Sequence, residues 1–235
     1  MRFHRFFSPE PLEDTLKKAG DTVSLTQHTD QLRKVFRLKT GDSLFLFDGS
    51  GFDFLCMIND FQGEATIFSL ISREKNKNNL AAKNITLVAA LVKKDTFEWI
   101  VEKATELGVS KIVPVVAERS EKKNINVERL QKIITEAAEQ SGRATIPELS
   151  ETIDLATAIS TFPAQASLVW DTQAPVFDRV KDIPGKTFLY IGPEGGWSID
   201  EIDSFKEKGI TLCSMGPQTL RAETAVVAAL SIILF

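Results

Sequence analysis

Two glycine-containing segments near the end of the chain each follow an apolar run and precede a helical pattern. The first, GPEGGWS at 192–198, comes directly after TFLYI. Three glycines at a turn between strand and helix let a ligand approach the backbone and hydrogen-bond to its amides, and open α/β sheets bind ligands at the carboxyl ends of their strands. The spacing matches neither a phosphate-binding P-loop nor the G-x-G-x-x-G of dinucleotide-binding folds. A tight turn without a ligand is the alternative interpretation.

The second segment, MGPQTLRAETA at 215–225, places three reactive or polar side chains at the start of a helix. Arg221, Glu223 and Thr224 cluster there, where the first backbone N–H groups of a helix have no internal partner. An ordinary capped helix, in which Glu223 complements the helix dipole, is the alternative. Two such loops after two strands together favour a ligand site.

The elements that must position these segments alternate between strands and helices from residue 85 onward. The apolar runs ITLVAALV, KIVPVV, SLVWD, TFLYIG and TLCSMG predict buried strands. Helical spacing predicts helices in DTFEWIVEKATELG, which Gly108 ends, in NVERLQKIITEAAEQSG, at 198–208 and from about 221 to the end. Ser198 and Glu201 form a capping box that marks one helix start. Strands that alternate with helices predict an α/β domain with a mainly parallel sheet.

The first part of the chain has a different texture, with short apolar stretches bounded by turn residues. It predicts a small, mostly β domain over 1–74, followed by an α/β domain over 75–235, with a polar linker at 73–84. Asp48-Gly49-Ser50-Gly51 predicts a hairpin turn between two strands. The segment HTDQLRKVFRL predicts one short helix ahead of those strands.

Composition excludes some classes of protein. With 43% hydrophobic and 26% charged residues, the chain is typical of soluble globular proteins and not of disordered ones. Cys56 and Cys213 lie in apolar runs and are predicted to be buried free thiols in a reducing compartment. The only histidines, His4 and His28, leave little material for a metal site, and we expect none. The start has no secretory signal pattern and the apolar tail is too short to span a bilayer, which predicts a cytoplasmic location without membrane contact.

The charge is unevenly distributed. The net charge is −4, yet residues 1–40 carry eight Lys/Arg against five Asp/Glu, an excess of +3 that leaves −7 for the remainder. A locally basic N-terminal part on an acidic body is typical of a local nucleic-acid contact, although a solvated surface explains the same excess.

Taken together, these motifs resemble one family. GPEGG-x-S-x-x-E followed by L-R-A-E-T-A is similar to the knotted SPOUT class of RNA methyltransferases, and the best match is its RsmE-type branch, the uracil-N3 methyltransferases of 16S (small-subunit) ribosomal RNA. The opening RFF, His28 to Arg37, EKATELGV (102–109), the E-R-S at 118–120 and EAAEQSGR (136–143) resemble further signatures of that branch. The chain departs from the family pattern at Gln218, where relatives commonly have Arg, at Trp197, where they often have Phe or Leu, and after the first strand of the second domain, at residues 93–96.

The resemblance implies a small PUA-like, β-barrel-like RNA-binding domain and a C-terminal α/β domain with a trefoil knot that clasps S-adenosyl-L-methionine. It further implies a homodimer and, as substrate, 16S rRNA within the small subunit. Carried over residue by residue, the cofactor site comprises Trp170, Asp171, Ile191, Gly192, Pro193, Glu194, Gly195, Gly196, Leu212, Met215, Gly216, Leu220, Arg221, Ala222, Thr224 and Ala225.

The catalytic residues implied are Arg221, which would stabilise negative charge on the uracil oxygens or bind a phosphate, and Glu223, which would orient Arg221 or act as the base. An ion pair at the helix end is the alternative for both. RNA contacts are expected from Arg2, Arg5, His28, Arg33, Arg37, Arg119 and Arg143, with solvated surface charge as the alternative.

Two other functions stay open on the sequence. A ribose 2′-hydroxyl is a possible acceptor for a knotted methyltransferase, although the N-terminal domain and the EQSGR segment favour the base. A non-catalytic RNA-binding protein of ribosome assembly is the second alternative, and the intact glycines at 192, 195 and 196 argue against it.

Overall fold

The computed structural model describes residues 3–77, 84–121, 124–177 and 184–234. It divides into two units. The first contains the described part of Met1–Asn79 together with Ala138–Ile146, and the second contains the described part of Leu80–Ala137 and of Pro147–Phe235. The segment 138–146 therefore lies in the first unit, whereas the sequence pattern placed it in the second domain.

A five-stranded sheet forms the first unit. Its strands are β1 (Arg5–Phe7), β2 (Thr22–Leu25), β3 (Ser43–Phe47), β4 (Phe52–Gln62) and β5 (Ala65–Lys75). They lie in the order β1-β3-β4-β5-β2, with β1 and β3 parallel and the other pairs antiparallel. The predicted hairpin turn between β3 and β4 is confirmed: Gly49 and Gly51 have φ of 90° and 89°, which glycine adopts without steric cost. A short helical segment, Gln31–Val35, confirms the predicted helix before β3.

The segment 138–146 joins this unit through both apolar and polar contacts. Ala138 and Ala144 are fully buried against Phe47, and the Gly51 amide donates to the Ala144 carbonyl at 3.3 Å. The amide side chain of Asn76 also donates to a carbonyl oxygen of this segment. Sequence periodicity cannot reveal these contacts, because they join residues between 66 and 97 positions apart in the chain.

A seven-stranded sheet forms the second unit, and all its strand pairs in the described part of the chain are parallel. Its strands are β6 (Asn84–Ala90), β7 (Lys111–Val116), β8 (Glu148–Leu149), β9 (Ile153–Asp154), β10 (Ser167–Trp170), β11 (Lys186–Ile191) and β12 (Thr211–Cys213). The order is β12-β10-β11-β6-β7-β8, with β9 also paired to β7. The prediction of an α/β domain with a mainly parallel sheet is confirmed.

Helices connect these strands, and their ends follow the predicted signals. They are α1 (Lys94–Leu107), α2 (Val127–Ser141), α3 (Leu155–Thr161), α4 (Ile199–Glu207) and α5 (Ala222–Leu234). Gly108 ends α1 with φ of 106°, and Ser198 and Glu201 form the predicted capping box of α4. Buried side chains of the strands, α3 and α4 form one core, which contains Tyr190 and Phe205.

Some elements were not predicted. The short strands β1, β2, β8 and β9 and the seven-residue helix α3 are too brief for a periodic signal. The predicted linker at 73–84 overlaps β5, which continues to Lys75, and its positions 78–83 lie outside the described residues. No helix in the described part of the chain is both long and apolar enough to cross a membrane.

Candidate functional site

Three strands of the second sheet end side by side. In the register of the parallel pairs, Trp170 at the end of β10 lies opposite Ile191 of β11 and also opposite Cys213 of β12. Parallel strands present their carboxyl ends at one edge, so the loops that follow these three strands lie next to one another. The two glycine-containing segments singled out in the sequence are two of these loops.

These loops enclose a cavity of about 210 Å³. Most of the residues predicted to bind the cofactor line it: Trp170, Asp171, Ile191, Gly192, Pro193, Glu194, Gly195, Gly196, Met215, Gly216, Leu220, Ala222 and Ala225. The structure therefore brings together residues that lie up to 55 positions apart in the chain, from Trp170 to Ala225.

Three predicted residues do not line this cavity. Leu212 packs against the hydrophobic core instead, because side chains of a strand alternate between faces. Arg221 and Thr224 are exposed. Conversely, five lining residues were not predicted; four of them are immediate neighbours of predicted residues, and Gln218 is two positions from Gly216 and from Leu220. The five are Thr172, Trp197, Ser214, Gln218 and Thr219. Proximity along the chain to the predicted residues was the signal that could have found them.

Internal packing explains the glycines of the first loop. A Cβ on Gly192 would lie 3.1 Å from the Trp197 ring, and one on Gly195 would lie 3.3 Å from the Arg119 side chain. Gly196 has φ of 67°, a backbone conformation that other residues rarely adopt. The sequence explanation, close approach of a ligand, is therefore not the only requirement for glycine here.

Trp197 connects the glycine loop to β10 and to α4. Its indole Nε1 donates to the carbonyl oxygen of Trp170 at 3.1 Å, and its ring packs edge-on against Phe205 with centroids 5.2 Å apart. Trp197 is only 5% exposed. Trp197 therefore holds the loop in place. In the sequence this residue is only a departure from the family pattern, which did not predict this role.

Trp170 supplies an unused hydrogen-bond donor. The residue lines the cavity and is 6% exposed, and its indole Nε1 has no hydrogen-bond partner in the part of the chain that the structure describes. Buried donors without a partner carry a desolvation cost of about 1–3 kcal/mol. A ligand with an acceptor atom at this position would remove that cost, so the donor set fits an occupant of the cavity.

Arg221 and Glu223 lie at the start of α5, outside the cavity lining. Arg221 is exposed and Glu223 half-buried, and neither forms an ion pair within 4.0 Å with any other described residue. The alternative of a helix-end ion pair between them is therefore not what the structure has.

Arg119 follows β7 and makes contacts that the sequence did not predict. Its Nη1 donates to the carbonyl oxygen of Gly195 at 2.8 Å and to that of Trp197 at 3.3 Å. The predicted RNA residue thus binds the glycine loop itself.

Two predicted RNA residues of the first unit are held by protein contacts. Arg5 forms an ion pair with Asp53 at 2.6 Å, and its guanidinium lies 5.1 Å from the ring centre of Phe47. His28 contacts the carbonyl oxygen of Phe7 through Nε2 at 2.8 Å. The side chains of Arg5 and His28 are 15% and 13% exposed. In this structure both side chains therefore stabilise the fold through contacts within the protein.

The other predicted RNA residues differ in their exposure. Arg33 and Arg37 are exposed, and the Arg33 guanidinium lies 5.3 Å from the ring centre of Phe61. Arg143 is 8% exposed, and burial lowers the pKa of its guanidinium to about 10. The expectation of a surface phosphate contact from Arg143 does not fit this burial. Arg2 lies outside the described residues.

The two cysteines are buried and free, as predicted. Burial raises the pKa of the Cys56 and Cys213 thiols to about 12. Among residues 3–77, 84–121, 124–177 and 184–234, no group of three His, Cys, Asp or Glu side chains could hold a metal ion.

Comparison with known proteins agrees with this placement. The model of a family described as RNA methyltransferase domain matches residues 79–234, which include every residue that lines the cavity.

Curated relatives match over most of the chain. A protein of Rickettsia conorii named ribosomal RNA small subunit methyltransferase E is 28% identical over 236 residues, which cover 98% of this chain and 95% of the relative. The protein of the same name from Synechocystis sp. is 34% identical over 221 residues, which cover 89% of this chain and 72% of the relative.

A solved structure has the same fold. It is a ribosomal RNA small subunit methyltransferase E from Neisseria gonorrhoeae bound to S-adenosyl methionine, which is 28% identical and superposes with a TM-score of 0.88 over 99% of this chain and 97% of that one.

Proposed function

Because the chain belongs to the RNA methyltransferase family, we propose that it transfers a methyl group from S-adenosylmethionine to N3 of a uridine in 16S, the small-subunit ribosomal RNA. Its relatives over nearly the full length are small-subunit rRNA methyltransferases, one of them bound to S-adenosyl methionine. The observation that carries the proposal is the cavity at the ends of β10, β11 and β12, which lies entirely within the matched family region. The choice of N3 rests on the resemblance to the uracil-N3 branch.

The cavity suits the cofactor in its free donor and in its apolar lining residues. Trp170 offers a buried N–H without a protein partner, the glycine loop 192–196 exposes backbone groups, and Leu220 and Ala225 supply apolar contact. Sites for small molecules combine apolar lining with a few placed polar groups in this way. When bound, S-adenosylmethionine supplies a methyl group on a positively charged sulfur, an electrophile that needs no further activation.

The remaining chemical difficulty lies in the acceptor. Uracil N3 carries a proton and attacks poorly until that proton leaves, so the protein must favour the deprotonated ring and align it with the methyl group. Alignment of two reactants contributes several kcal/mol. We assign to Arg221 the stabilisation of negative charge on the uracil oxygens, since its guanidinium has no ion-pair partner among the described residues. Glu223, 2 residues further along at the start of α5, is the candidate base.

The finer architecture follows the same resemblance. We infer that the C-terminal part of the second unit forms a trefoil knot, that the five-stranded unit is a PUA-like RNA-binding domain, and that two copies of the chain form a homodimer that acts on the small subunit. Support for the dimer comes from α5, whose residues Val227, Ala228 and Ile232 are apolar and only half-buried. Support for a cytoplasmic location comes from the two free thiols.

The test is a methyl-transfer assay with labelled S-adenosylmethionine on small ribosomal subunits that lack the modification, followed by digestion of the RNA and identification of the nucleosides by mass. Label in N3-methyluridine is the expected result. Label in a ribose-methylated nucleoside would move the acceptor to the 2′-hydroxyl. Absence of both label and cofactor binding would instead favour a non-catalytic RNA-binding protein.

A further inference from the structure

The segment Glu118–Ser120, which follows β7, is tied to the glycine loop by side-chain to backbone contacts. The Arg119 guanidinium donates to the carbonyl oxygens of Gly195 and Trp197. Hydrogen bonds from a charged donor are about twice as strong as neutral ones. Two carbonyls of the loop are therefore held from the side of β7.

Glu201 connects the same two segments a second time. Its Oε1 accepts from the amide of Glu118 at 2.7 Å, and its Oε2 accepts from the amide of Ser198 at 2.8 Å. One carboxylate therefore bridges the segment 118–120 and the start of α4. Together with Arg119 it restrains the chain on both sides of Trp197.

The side chain of Arg119 packs against the backbone of Gly195. A Cβ at Gly195 would lie 3.4 Å from Cβ of Arg119 and 3.3 Å from its Cδ, and the second distance is slightly tighter than ordinary van der Waals contact. Gly195 has no left-handed φ, so alanine there would meet a packing conflict without backbone strain. The Arg119 side chain therefore leaves little room for a Cβ at Gly195.

We propose that Arg119 is a positioning residue of the cofactor loop, and that it acts on S-adenosylmethionine binding rather than on RNA. It holds the loop in its binding conformation before the cofactor arrives, and such preorganisation lowers the cost of ordering on binding. The inference rests on the proposed cofactor. It differs from the RNA contact expected from the sequence, since the guanidinium donates to protein carbonyls.

Calorimetric titration with S-adenosylmethionine tests the proposal. Arg119→Ala should weaken cofactor binding about tenfold, because the loop loses both charge-assisted hydrogen bonds that hold its carbonyl groups. Arg119→Lys should restore part of it, because one ammonium cannot reproduce the forked donors of arginine. The affinity of Arg119→Ala for a small-subunit RNA fragment should stay at the wild-type value. The neighbouring variant Glu118→Ala keeps the backbone contact to Glu201 and serves as the control. Its affinities for the cofactor and for the RNA fragment should both match those of the wild type. Unchanged cofactor affinity with weaker RNA binding would overturn the proposal.

A double-mutant cycle adds a sharper criterion. Gly195→Ala should weaken cofactor binding in the wild-type background and have much less effect in Arg119→Ala, because the conflicting side chain is then gone. Equal losses in both backgrounds would mean that the ligand, and not Arg119, requires glycine at 195.

Hydrogen exchange without cofactor separates this inference from the proposed function. The amides of residues 195–197 should exchange faster in Arg119→Ala than in Glu118→Ala. If the wild-type protein bound no S-adenosylmethionine, the proposed function would fall, and the exchange result would still decide whether Arg119 orders the loop. Equal exchange in the two variants would refute its positioning role.

Discussion

The indole nitrogen of Trp197 donates a hydrogen bond to the carbonyl oxygen of Trp170, with 3.1 Å between the two atoms. This contact joins the glycine loop after β11 to the end of β10, two of the three loops that enclose the cavity. The two tryptophans differ in one respect: the Trp197 donor is used within the protein, whereas the Trp170 donor has no partner among the described residues.

Trp197→Phe should destabilise the fold and weaken cofactor binding together. The ring contact with Phe205 is largely retained, but the Trp170 carbonyl loses its partner, which costs about 1–3 kcal/mol. Chemical unfolding and calorimetric titration with S-adenosylmethionine measure the two effects. Phenylalanine is common at this position in the resembling family, so an unaltered protein would mean that the hydrogen bond contributes little here.

Trp170→Phe should lower the cofactor affinity and leave the stability of the fold nearly unchanged. The free energy of unfolding should change by less than about 1 kcal/mol, because removal of the unpartnered donor offsets the packing lost with the smaller ring. Cofactor affinity should fall several-fold if the indole N–H donates to the bound molecule. Should the affinity stay at the wild-type value, the unpartnered donor would have no role in binding.

Arg221→Ala should abolish methyl transfer and leave cofactor affinity nearly unchanged. Arg221 is exposed and does not line the cavity, so its proposed role concerns the acceptor ring. Single-turnover rates on undermethylated small subunits measure the first effect and calorimetry the second. The proposed role is wrong if this variant retains near-normal turnover.

Arg33 and Arg37 should contribute to RNA affinity, in contrast to Arg5. Both are exposed. For each phosphate contact that a substitution removes, the slope of log binding constant against log salt concentration should fall in magnitude by about one. Arg5→Ala should instead lower the free energy of unfolding by about 2 kcal/mol, because it leaves Asp53 without its ion-pair partner at 2.6 Å. Binding titrations at several salt concentrations distinguish the two classes. Equal salt dependence in the Arg33 and Arg37 variants and the wild type would exclude them from the RNA surface.

We expect the free energy of unfolding to depend on pH because of the two buried cysteines. Burial raises the pKa of both thiols from 9.0 to about 12, so the folded state keeps them protonated. The stability that this confers is complete below pH 9, the ordinary thiol value, and is lost as pH rises from 9 toward 12. At pH 8 a colorimetric thiol reagent should detect no thiol in the native protein and two after denaturation in urea. Rapid reaction of either cysteine in the native state would contradict the burial.

The sequence by itself determined five of the seven strands of the second sheet, where its main helices begin and end, and two of the three loops that enclose the cavity. These features depend on local patterns: continuous apolar runs predict buried strands, a capping box marks the start of α4, and Gly108 marks the end of α1. The order of the strands does not follow from such patterns. Only the pairing of β10 with both β11 and β12 brings Trp170 next to Ile191 and Cys213.

The tertiary structure alone decided what the charged residues do. In the sequence Arg5, Arg33, Arg119 and Arg143 are equivalent basic positions, yet one is paired with Asp53, one is exposed, one binds the glycine loop and one is buried. The physical reason is the distance along the chain over which each kind of interaction acts. Apolar periodicity is written into neighbouring residues, whereas the partner of a long cationic side chain comes from wherever the fold places a carboxylate or a carbonyl oxygen, 48 positions away for Arg5 and 76 for Arg119.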